Sequence, residues 1–80
     1  MVTREQKARL SFRCRRGMLE LDALFERFLL SGIDQLSADE LKIFDHLLDE
    51  PDPVLLDWLT GVDRPQDEAI NKVVQKITTV

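Results

Sequence analysis

Apolar residues recur at helical spacing through most of this 80-residue chain. The clearest stretch runs from Met18 to Leu30, where Leu21, Leu24, Phe25, Phe28 and Leu29 fall at i, i+3, i+4, i+7 and i+8. That is one stripe of an α-helix, and Ser31-Gly32 ends it. Leu41, Phe44, Leu47 and Leu48 repeat the spacing in a helix opened by Ser37-Ala38-Asp39-Glu40 and closed by Asp49-Glu50-Pro51. The opening is a capping box, in which Ser37 and Glu40 each satisfy the other's backbone N–H. Asp52-Pro53 reads as an N-cap followed by proline at the first helical position. It opens a short helix from Val54 to Thr60, apolar nearly all round through Leu55, Leu56, Trp58 and Leu59, which Gly61 caps. A turn through Asp63-Arg64-Pro65 opens a last helix with Ile70, Val73, Val74 and Ile77 inward and Thr78-Thr79-Val80 fraying.

The first segment is ambiguous. Ala8, Leu10, Phe12 and Cys14 alternate with polar residues, as in a strand. Against that, Thr3 and Gln6 form a second capping box, no β-branched residue follows Thr3 there, and no other segment offers a partner strand. The segment therefore reads as a helix ended by Gly17. Leu10 and Cys14 share one face and Ala8 and Phe12 another, so two sides would be gripped. The pattern as a whole predicts an all-α fold, a small five-helix bundle in a single domain over residues 1–80, with no internal repeat.

Composition adds limits. At this length folding removes roughly 60–65% of the chain's surface from water, so the stability margin is a few kcal/mol. A core is within reach at 44% hydrophobic, but an enclosed substrate cavity is not expected. No apolar run is long enough to span a bilayer, and the N-terminus lacks the apolar stretch of a signal peptide. Cys14 is the one cysteine and His46 the one histidine. An internal disulfide is thus ruled out, a protein-only zinc site is disfavoured, and the usage fits a reducing cytoplasm. A catalytic Cys14–His46 pair would lack an orienting partner. Cys14 reads as a small apolar side chain facing the second helix, His46 as exposed, and Trp58 as mostly buried.

Charge divides the chain at Arg15-Arg16-Gly17-Met18-Leu19-Glu20. Up to Arg16 there are six basic residues and one acidic, net +5; from Gly17 on there are five basic and fourteen acidic, net −9. The basic head carries no base-stacking aromatics or recognition-helix pattern. It reads as a solvated face that steers an acidic protein partner, ahead of a nucleic-acid contact. Arg16, Gly17 and Glu20 have a plain structural reading: a helix break, a first-turn carboxylate favoured by the helix dipole, and a surface Arg16–Glu20 pair. They have a functional one too, because glycine admits a partner's backbone closely while guanidinium and carboxylate offer directional hydrogen bonds.

The stretch Cys14-Arg15-Arg16-Gly17-Met18-Leu19-Glu20-Leu21-Asp22 resembles the small SdhE-like flavinylation assembly factors of succinate dehydrogenase and fumarate reductase, with their Arg-Gly-x-x-Glu motif. Leu36-Ser37-Ala38-Asp39-Glu40, Leu47-Leu48, and Asp52-Pro53 ahead of Leu55, Asp57, Trp58 and Leu59 extend the likeness over nearly all the chain, in the short form of a bacterial member. Pro51 departs from the pattern and is placed to shift the start of the fourth helix. The resemblance implies a five-helix bundle that is no enzyme. It implies a cytoplasmic factor, monomeric when free, that holds no FAD stably. Such a factor binds the flavoprotein subunit of succinate dehydrogenase or fumarate reductase and promotes covalent attachment of FAD to a histidine there. Arg16, Gly17 and Glu20 would form the contact surface, with Arg15, Arg13 and Asp22 as possible extensions, and a proton-transfer role for Glu20 ranks second to orientation. An antitoxin-type or nucleic-acid-associated regulator is the alternative.

Overall fold

A computed structural model describes residues 2–79. It contains α1 (Arg4–Arg13), α2 (Leu19–Ser31), a single 3-10 turn (Ile33–Gln35), α3 (Ala38–Leu47), α4 (Asp52–Thr60) and α5 (Glu68–Thr78). The all-α expectation holds. Both capping boxes form, Thr3 with Gln6 and Ser37 with Glu40.

The predicted stripes build the core. Leu21, Phe25, Phe28 and Leu29 of α2 are buried with Leu41, Phe44 and Leu47 of α3, Leu48 just beyond it, Leu55 and Leu59 of α4, and Val73, Val74 and Ile77 of α5. Phe44 sits 6.1 Å from Phe25 and 5.3 Å from Phe28, centroid to centroid, in inclined arrangements that favour ring edge over ring face. α5 is the hub, packing on α2, α3 and α4, whereas α1 lies at the side against α2.

Five expectations are corrected. Helix α1 ends at Arg13 with Cys14 as its C-cap, so Gly17 does not terminate it; Gly17 turns the link into α2, at φ +80°. Ala8 and Phe12 are not gripped. Both are exposed, because Phe12 stands about 200° around the helix from Leu10. Helix α4 begins one residue early, on Pro51 as N-cap, which frees the Asp52 carboxylate for another contact. Helix α5 begins at Glu68 rather than after Pro65, because the Asp67 carboxylate accepts from the Ala69 and Ile70 N–H groups. It also runs through Thr78, which does not fray; Val80 lies outside the described residues. Trp58 is mostly buried, as expected, and packs against the core. Ile33 and Leu36, around the 3-10 turn, are core residues that the stripe pattern passes over.

Candidate functional site

The basic head is folded onto the acidic body. The Arg9 guanidinium donates to both Asp45 carboxylate oxygens, at 3.2 and 3.0 Å. Arg13 donates to the Asp45 carbonyl at 2.7 Å and to the carboxylates of Asp45 and Asp49. Arg16 reaches furthest. Its Nε donates to Asp52 at 2.7 Å, and its terminal nitrogens donate to the Leu48 and Glu50 carbonyls at 2.7 Å each. Arg13 and Arg16 thereby cap carbonyls at the C-terminus of α3, where unpaired acceptors and the negative dipole end both favour a cation. This corrects two readings. The head is not a wholly solvated face, since three of its six cations are engaged internally, and Arg16 pairs with Asp52 rather than Glu20.

Hydrogen bonding from Arg9 holds the Asp45 carboxyl below its ordinary value, against a smaller opposing effect of burial, and Arg13 adds to the lowering. A carboxyl depressed in the folded state contributes stability that is present above its unfolded value, about pH 4, and is lost as pH falls further. The melting temperature is therefore expected to drop on acidification from about pH 5 to about pH 2.5. Asp45→Asn should melt lower at neutral pH and lose less on acidification, which thermal melts followed by circular dichroism would measure. Glu40, held low by Lys76, titrates in the same window, so the variant's curve flattens without becoming level.

The link between α1 and α2 is tied from both ends. The Arg15 N–H donates to the Phe12 carbonyl at 3.2 Å, and the Arg16 N–H donates to the Asp22 carboxylate at 2.9 Å. With the Arg16 side chain drawn away beneath, the next residue is displayed. Gly17 adopts the left-handed region, and a Cβ built there meets nothing within 4 Å. Around it lie exposed Arg15 and Glu20, the latter in the first turn of α2, neither side chain having an ion-pair partner among the described residues. Phe12 at 78% and Leu19 at 84% exposure add two large apolar side chains close by in sequence. A shallow groove between α1 and α2, lined by Ser11, Cys14, Arg15, Gly17, Asp22 and Glu26 among others, runs alongside. Cys14 is 3% exposed, and burial pushes its thiol up to about 12, so it behaves as a small apolar side chain. His46 is exposed, as expected.

The six residues singled out in the sequence thus divide. Arg15, Gly17 and Glu20 face solvent, while Arg13, Arg16 and Asp22 are engaged in holding that surface in place. Sequence reasoning missed Phe12 and Leu19. The signal was available, since each lies on the helix side opposite the buried stripe. It also missed Asp45, Asp49 and Asp52 as receivers of the basic head, and nothing local marks them. Among the described residues no group of three or more His, Cys, Asp and Glu side chains is placed to hold a metal ion, and no helix is long and apolar enough to cross a membrane.

The bundle displays a left-handed glycine between a cation, a carboxylate and two apolar side chains, an arrangement chemically suited to contact with another protein's backbone. Residues 8–80 match the Sdh5 family model, described as flavinator of succinate dehydrogenase, and the chain belongs to that family. It is 46% identical to the FAD assembly factor SdhE of Coxiella burnetii, over 86% of this chain and 84% of that one. It is 42% identical to the SdhE of Vibrio cholerae, over 96% of this chain and 90% of that one. The solution structure of a UPF0350 protein, 40% identical, superposes with a TM-score of 0.82, covering 99% of this chain and 84% of that chain.

Proposed function

We propose that this protein binds the flavoprotein subunit of succinate dehydrogenase through the surface around Gly17 and promotes covalent attachment of FAD to it. The observation that carries this reading is the display of Gly17. Arg16 and Asp22 hold the link so that a partner's backbone approaches an unobstructed glycine, with Arg15 and Glu20 beside it for directional hydrogen bonds. Phe12 and Leu19 supply the apolar contact that anchors such an interface.

The factor works by orientation rather than as an enzyme. It holds the client so that the accepting side chain and the flavin meet at bonding distance, where fixing reactants in place supplies a large share of a barrier. The FAD belongs to the client, and the free factor is a cytoplasmic monomer. The flavoprotein of fumarate reductase is a second client on the same logic. Nucleic acid is not a partner.

The test is covalent flavin on the succinate dehydrogenase flavoprotein in cells from which this gene has been removed. Fluorescence that survives denaturation reports the bond. Removal is expected to abolish most of it, the wild-type gene to restore it, and Glu20→Ala to restore it poorly. Equal fluorescence with and without the gene would refute the proposal.

A further inference from the structure

At the C-terminal end of α4 an open groove of ≈ 620 Å³ runs between Trp58, the Gly61–Arg64 turn and one edge of α5. Along α5 its wall is Asn71, Val74, Gln75 and Thr78, at i, i+3, i+4 and i+7 on one side of the helix. Asn71 is unusual. It is only 8% exposed, the one buried polar residue among those described. Its backbone N–H donates to Asp67, but its side-chain carboxamide makes no hydrogen bond to any described residue. Nor is that carboxamide sealed in, because no fully enclosed side-chain nitrogen or oxygen lacks a partner. It therefore opens into the groove. In the free protein only water in the groove can meet this amide, so it adds no internal hydrogen bond to the fold.

The spacing says what would satisfy it. Asn71 and Gln75 are separated by about 6 Å along the helix axis. An extended peptide repeats every two residues, about 6.6 Å, with alternate peptide groups facing the same way. Each carboxamide offers donors and an acceptor, so the pair can bond the N–H and C=O groups of residues i and i+2 of an extended segment. Trp58 and exposed Val62 supply apolar surface for one of its side chains.

We infer that this groove takes an extended segment of the client flavoprotein, held through its backbone by Asn71 and Gln75; the identity of the client rests on the function proposed above. Interface size favours the client as occupant. The exposed residues around the motif, Phe12, Arg15, Gly17, Leu19 and Glu20 with Ala23 and Glu26 on the next turns of α2, are well short of the about 20–30 residues a side of a stable interface. Helix α4 joins the two regions. Its first residue, Asp52, is gripped by Arg16, and its last, Thr60, lines the groove, about 12 Å away along the axis. A client touching both ends of α4 is fixed in orientation as no single contact would fix it.

The experiment titrates purified succinate dehydrogenase flavoprotein subunit, its flavin not yet attached, against the full-length wild type, Asn71→Leu, Gln75→Leu and Gly17→Arg by calorimetry. Thermal melts of each variant accompany the titrations. Asn71→Leu is expected to melt at or above the wild type, having no internal hydrogen bond to lose, and to bind about 5- to 50-fold more weakly. Gln75→Leu should weaken binding less. Three results would overturn the inference: Asn71→Leu binding as tightly as wild type while Gly17→Arg does not bind, Asn71→Leu melting several degrees lower, or Asn71→Leu only dissociating a dimer of the free chain. The first of these leaves the proposed function standing. Failure of the wild type to bind removes both.

Discussion

Arg16→Ala is expected to melt on the order of 10–20 °C below the wild type, the largest loss from any single substitution outside the apolar core. The Arg16 side chain is 16% exposed and Asp52 31% exposed, so the pair is largely withdrawn from water. Removing the guanidinium leaves a half-buried carboxylate and two carbonyls, Leu48 and Glu50, without their donors. Charge-assisted hydrogen bonds contribute about 1.5–3 kcal/mol each, and an orphaned partner in a buried pair costs about 3–5 kcal/mol. Discounted for the remaining exposure of Asp52, about 2–4 kcal/mol is expected, a large share of what a domain this small has. Arg16→Lys should recover less than half of the loss. An ammonium on a flexible stem cannot serve three acceptors that a planar fork reaches at once. Thermal and urea denaturation of the three proteins decide the matter, and a melt of Arg16→Ala within a few degrees of wild type would mean that Arg16 is not the brace described here.

Gly17→Arg should remain folded and fail to support covalent flavin. Nothing stands within 4 Å of a Cβ at this position, so the substitution causes no clash inside the protein. Its cost is the left-handed backbone, at φ +80°, about 1–2 kcal/mol for an ordinary residue. The side chain then projects outward into the space proposed for the client's backbone, and binding is expected to be lost by obstruction. Gly17→Asn separates strain from obstruction, because asparagine tolerates this conformation and its side chain is short. It should melt close to wild type and bind the flavoprotein with intermediate affinity. The order wild type, Asn, Arg in denaturation-resistant flavin fluorescence, with all three folded by circular dichroism, is the expected result. Normal flavin attachment by a folded Gly17→Arg protein would show that the client docks elsewhere.

These two expectations bear on one motif yet act through different physics. A contact surface made of Arg16, Gly17 and Glu20 together is a natural reading of the linear sequence, since the three lie within five residues. In three dimensions Arg16 faces inward while Gly17 and Glu20 face solvent, so loss of function at Arg16 and at Gly17 would have different causes. Stability measurements tell them apart where activity alone would not.

Periodicity and local capping chemistry determined the helices. The i, i+3, i+4 stripes of α2, α3 and α5 located the core, and the two Ser/Thr capping boxes located two N-termini, because both signals depend on neighbours within one or two turns. The motif and the matching segments after it carried the family, again as linear information. Where other local signals competed, boundaries slipped. Asp67 rather than Pro65 opened α5, and Pro51 displaced Asp52 from the cap of α4. What only the tertiary structure decided is which charge meets which. Arg9, Arg13 and Arg16 find Asp45, Asp49 and Asp52 from more than thirty residues away, because α1 docks beside α3 and brings a basic edge to an acidic helix end. The same packing leaves the Asn71 amide open to a groove and turns Phe12 to solvent. A composition of charges along a chain sets no pairing, since ion pairs are specified by distance and burial, and both come from how the helices pack.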